Sequence, residues 1–135
     1  MGFVWRLECI WVMLWALGYV DELDWPEDQC DVERLGKLLD KIALEPESCR
    51  PATLRSTTEL LDALDLMMRL EWAILDAYLH RDSGVPVDLD WSGRSRFIHV
   101  SVSEARLLVH ERFYALVWLT NGAAGSGWDN MNLST

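Results

Sequence analysis

Basic charge is what this chain has least of. Its 135 residues carry 12 Lys and Arg against 22 Asp and Glu, a formal net charge of −10. A surface so acidic repels phosphate backbones and excludes generic nucleic-acid binding. It is compatible with a basic protein partner, although solubility alone is the commoner reason for such acidity. Cysteine is scarce too. Cys9, Cys30 and Cys49 are odd in number and widely spaced, with no CxxC pair. That argues against a disulfide framework and an ordered zinc site, and for a reducing cytoplasm.

Long apolar runs are missing as well. The uncharged stretch from Cys9 to Val20, wound as a helix, rises about 18 Å, short of the roughly 30 Å of hydrocarbon a membrane span must cross. A secretory leader would begin with basic residues, whereas Met1 to Trp5 is uncharged and Asp21-Glu22 follows the run. The sequence therefore calls for no membrane. Catalytic signatures are equally sparse. His80, His99 and His110 fall into no HxxxH or HExxH spacing, so no metal site is expected and a terminal or surface role suits each. No G-x-S-x-G or Cys–His arrangement marks a nucleophile. The glycines of GAAGSG, 122–127, lack the Lys-Ser/Thr and helix start of a phosphate loop. No cofactor is implied, and an enzymatic role is not favoured.

What is present is apolar bulk with helical spacing. Half of the residues are hydrophobic and eight are Trp, enough for one domain with one core. A first helix is expected over about residues 3–20, apolar on nearly every face and so in need of cover from several sides. Asp31 can cap a second helix over about 32–44, where Val32, Leu35, Leu38, Leu39 and Ile42 recur. Ser56-x-x-Glu59 has the form of a capping box opening a third helix over about 57–80. A fourth is expected over about 103–120, closed by Asn121-Gly122. Between the last two, VDLDW and RFIHVSV alternate around SGRS, a pattern for a ribbon. The expected fold is thus mainly α: a compact bundle of about four helices, with room for one short β-hairpin around residues 87–102.

Three blocks of this chain together resemble the domain-of-unknown-function 4272 family of bacterial proteins. They are WRLECIWVMLWALGYVDEL, with Pro26 and Cys30-Asp31 after it, then RSTTELLDALDLMMRLEWAILDA, and ERFYALVWL with the closing Trp128-Asp129. The family pattern is longer at its N-terminus. The resemblance therefore implies that this chain corresponds to the C-terminal portion of the pattern and lacks helices that would cover Trp5, Trp11 and Trp15. The departures are informative. Where the family tends to read R-L-H-W-A-V-R-D-A, this chain has Glu71 for the His and Leu75 for the second Arg. Where it reads E-R-H-Y-A-L-N-W-L, Phe113 replaces the His and Val117 the Asn. Each pair is four residues apart and shares a helix face. If the two faces meet, packing has largely replaced a polar cluster, and a His-dependent activity does not carry over.

The charged residues that match are Arg6, Glu8, Arg69, Asp76, Glu111 and Arg112. As a cluster between helices they could orient an anionic group through their arginines, or only fix how the helices dock. Trp5, Trp11, Trp15, Trp72 and Trp118 fall on helices and are expected in the core. Trp25, Trp91 and Trp128, the last beside Asp129, fall in turns or the ribbon, where each could clip its loop to the core or anchor a partner. Two functional classes follow. The favoured one is a protein-interaction module that neutralises or scaffolds a basic partner. The other is an enzyme or small anionic-ligand binder built on the Arg/Asp/Glu cluster. Self-association is a further option, with a missing helical cover supplied by another copy.

Overall fold

The computed structural model describes residues 2–26, 28–79 and 102–121, with side chains for all of these except 2–5, 77, 102 and 103. Among these residues four helices carry the fold: α1 (Gly2–Ala16), α2 (Val32–Leu44), α3 (Thr57–Leu79) and α4 (Val102–Asn121), with a 3-10 turn at Pro46–Ser48. No strand occurs among the described residues. The hairpin expected at 87–102 lies outside them, apart from Val102, which opens α4.

Local chemistry sets the helix ends. Asp31 accepts the Arg34 backbone N–H at 2.9 Å and so caps α2. Ser56 and Glu59 close a reciprocal box on α3: Ser56 Oγ accepts from the Glu59 N–H, and Glu59 Oε2 accepts from the Ser56 N–H. The first helix stops at Ala16 rather than near residue 20. Gly18 sits at φ +86°, and the Tyr19 N–H reaches back to the Leu14 carbonyl at 2.9 Å. This left-handed closure turns Val20 into the core instead of onward along the helix.

The core lies where α4 packs against α1 on one side and against α3 on the other. Val12 of α1, Leu70 and Ile74 of α3, and Val109 and Leu116 of α4 are wholly buried there. α2 is peripheral, with Leu35 buried, Leu38 and Ile42 half-buried, and Leu39 and Leu44 exposed. Trp11 and Trp15 are 2% and 7% exposed. The chain's own elements cover both residues. Trp72 runs the other way: expected in the core, it is 58% exposed on the outer face of α3. The tertiary fold selects one face of that helix for burial, the face of Leu60, Met67, Leu70 and Ile74, and Trp72 is not on it.

Candidate functional site

The matched charged residues separate into two groups. Glu8 and Arg112 meet inside the seam between α1 and α4, 0% and 1% exposed, with Arg112 Nε donating to Glu8 Oε2 at 3.0 Å. The other carboxylate oxygen, Oε1, accepts the Cys30 backbone N–H, and Arg112 Nη1 donates to the Asp24 carbonyl. A buried ion pair needs this additional bonding, because desolvating two charges otherwise outweighs their attraction. The pair thereby ties the loop between α1 and α2 to the helix seam. Neighbouring Glu111 is half-buried and accepts the Cys9 thiol at 3.1 Å through Oε2 and 3.2 Å through its carbonyl. Arg6 is exposed and stands 5.3 Å from the Tyr114 ring.

Arg69 and Asp76 are elsewhere. Both lie on the solvent side of α3, where Arg69 donates to Asp65 at 2.9 Å one turn away. The structure therefore does not bring them to Arg112, and no single Arg/Asp/Glu cluster forms from all six residues. Of the tryptophans proposed as interface anchors, Trp25 is half-buried beside the Arg112 seam. Trp91, Trp128 and Asp129 lie outside the described residues, as do His80 and His99.

The seam holds no reactive thiol. Burial, reinforced by Glu111, pushes the Cys9 thiol far above its usual range. Burial, reinforced by Glu8, pushes Cys30 up to about 12. Both stay protonated at neutral pH and are poor nucleophiles. Among the described residues no group of His, Cys, Asp and Glu could hold a metal ion, and no helix is long and apolar enough to cross a membrane.

A different polar contact joins α3 to α4. His110 Nδ1 lies 2.9 Å from Glu71 Oε1, while Glu71 Oε2 is buried without a hydrogen-bond partner. His110 is only partly buried, and the bond from Glu71 raises its pKa. Phe113 and Val117 on the same helix are buried in the core, so packing does occupy those two departures from the family pattern. His110 and Glu111 do not form an acid–base pair; they point to different partners, one on α3 and one on α1.

Sequence reading missed Arg55, whose guanidinium bonds three backbone carbonyls. It follows an extended segment whose Thr53 and Arg55 N–H groups donate to the Leu17 and Ala16 carbonyls. Its guanidinium then donates to the carbonyls of Trp15 at 2.7 Å, Val20 at 2.8 Å and Asp21 at 2.8 Å. It also stands 4.8 Å from the Trp15 ring. A cation on the orphan carbonyls of a helix C-terminus is favourable, and here it comes from a distant segment that no local pattern links to α1. Arg55 thereby builds one side of an open groove of about 500 Å³ between the α1–α2 loop and α3. Trp15, Leu23, Ala63, Leu66 and Met67 give the groove an apolar lining, and Asp21, Glu22, Glu59 and Asp62 give it carboxylates. Arg55 and the Ser56 box engage Glu59, and Arg50 stands 3.9 Å from exposed Asp21, whereas Glu22 and Asp62 are exposed with no ion pair to a described residue.

A family model matches residues 1–131, nearly the whole chain, and its description is "Domain of unknown function (DUF4272)". No curated protein and no solved structure matches the chain.

Proposed function

We propose an interaction role for this chain, which belongs to the DUF4272 family, a family described as a domain of unknown function: it receives a basic, amphipathic segment of a protein partner. The observation that carries the reading is the groove between the α1–α2 loop and α3. Its apolar lining of Trp15, Leu66 and Met67 suits the greasy side of such a segment, and exposed Asp21, Glu22 and Asp62 suit its lysines or arginines. The net charge of −10 speeds the encounter with a basic partner, and the same charge opposes nucleic acid. The three free cysteines fit a reducing, cytoplasmic setting.

The anionic-ligand reading has less support. Glu8 neutralises Arg112, Asp65 engages Arg69, and Arg6 stands over Tyr114. The test is fluorescence anisotropy with two labelled helical peptides, one of Leu and Lys and its counterpart of Leu and Glu, at low and moderate salt. The Leu/Lys peptide is expected to bind, to weaken as salt rises, and to lose most of its affinity when Glu22 and Asp62 are both changed to Lys. Equal binding of the two peptides, or binding that ignores the charge reversals, overturns the reading.

A further inference from the structure

The third helix is apolar on two sides. One is the core face of Leu60, Met67, Leu70 and Ile74; the other is an outward stripe of Leu61, Leu64, Met68, Trp72, Leu75 and Leu79. These six recur at steps of three and four, so they follow one another along a single line of the helix surface. At 1.5 Å per residue the stripe runs about 27 Å, or about five turns. Leu61 and Leu79 are 47% and 67% exposed, Trp72 is exposed between them, and Leu64, Met68 and Leu75 are half-buried. Among the described residues α4 is the one helix that packs extensively on α3, and it leaves this stripe open. Single surface leucines need no explanation, but a continuous apolar row with a tryptophan in it does.

The borders of the stripe fit a second copy of itself. A chain of net charge −10 ordinarily repels its own kind. Here the bordering charges come with neighbours of opposite sign: Asp65 with Arg69 at 2.9 Å on one edge, and Glu71 with His110 at 2.9 Å on the other. Arg106, 4.5 Å from the Tyr78 ring, adds a cation to the second edge. Repulsion is thus muted where the apolar row lies. The first edge is also self-complementary, since Arg69 stands three residues before Trp72 and Asp76 four after it. Two such helices, laid antiparallel about a two-fold axis beside Trp72, bring Arg69 of each copy level with Asp76 of the other. The same axis puts the two indoles together and sets Met68 of each copy against Leu75 and Leu79 of the other. An isologous contact of this kind closes at two copies.

We propose that this chain pairs with a second copy of itself through the outer stripe of α3, antiparallel about an axis beside Trp72. The two central tryptophans supply most of the affinity, as aromatic residues in the middle of an interface do. The Arg69–Asp76 contacts, at the wet rim, set the direction of pairing more than its strength. The groove proposed for a basic segment uses another side of α3, that of Ala63, Leu66 and Met67, so the two proposals stand or fall separately.

Sedimentation equilibrium of the whole chain, from micromolar to millimolar concentration and at low and moderate salt, tests the pairing. The mass is expected to rise from one chain to two and to stop there. Salt should favour the pair, because it screens the repulsion between two acidic copies and leaves the apolar contact intact. Trp72→Glu should raise the dissociation constant about a hundredfold or more, with helical circular dichroism and urea midpoint unchanged. Arg69→Asp should weaken the pair several-fold, and Asp76→Arg added to it should restore the wild-type constant. Glu22→Gln, in the groove, should leave the pair as it was. A chain that stays single at every concentration, or a pair indifferent to Trp72→Glu, overturns the proposal. A double swap that fails to restore the pair overturns the antiparallel arrangement.

Discussion

Among the described residues Glu8–Arg112 and Glu71–His110 each join two helices, and they are built to opposite specifications. Glu8–Arg112, between α1 and α4, is sealed from water, and both carboxylate oxygens are bonded. Glu71–His110, between α3 and α4, leaves the His side chain 43% exposed and strands one carboxylate oxygen without a partner. The first seam keeps a guanidinium, which stays charged at any pH the protein meets. The second uses an imidazole, which does not. One contact fixes the loop and the seam permanently, while the other makes the α3–α4 contact responsive to its medium.

Breaking the sealed pair should have the largest effect. Glu8→Ala or Arg112→Ala alone leaves a bare charge in the core and should lower unfolding stability by about 3–5 kcal/mol in urea titrations. Replacing both, as Glu8→Leu with Arg112→Met, should lose much less than either single change, because no unpaired charge remains. Two singles that merely add would refute the picture of a coupled, desolvated pair. Next comes Arg55→Ala, which strips three carbonyls of a charged donor and should lower stability by about 2–3 kcal/mol. Arg55→Lys should recover only part of that, since an ammonium lacks the planar fork.

The open pair should contribute least. The raised folded pKa of His110 comes first from the Glu71 bond and is aided by Glu111, against burial and Arg106. The stabilisation is therefore complete below the unfolded value of about 6.5 and fades as pH rises through the higher folded value. Its size should not exceed about 1 kcal/mol at this exposure. Urea midpoints across neutral pH for the wild type and His110→Gln check this, and a pH dependence shared by both would place the titration elsewhere.

Local signals in this sequence were legible and distant ones were not. Asp31 and the Ser56–Glu59 box act within three residues, and the structure uses both where the spacing puts them. Spacings of three and four correctly set Arg69, Trp72 and Asp76 on one stripe of α3, but periodicity does not say whether a stripe faces core or water. Here it faces water. Glu8 and Arg112 were both picked out, yet their pairing spans 104 residues and has no signature along the chain. Arg55 was missed for the same reason, since its carbonyl partners at Trp15, Val20 and Asp21 lie 34 to 40 residues upstream.

That separation has a consequence for synthesis. α1, apolar on nearly every side, leaves the ribosome well before its principal cover, α4. At translation speeds of 5–20 residues per second, the interval between Glu8 and Arg112 is about 5–20 s. For that time Trp11, Val12 and Trp15 have no native shelter from α4. Aggregation of the nascent chain is therefore favoured in that interval, and slower elongation should raise it without altering the finished fold.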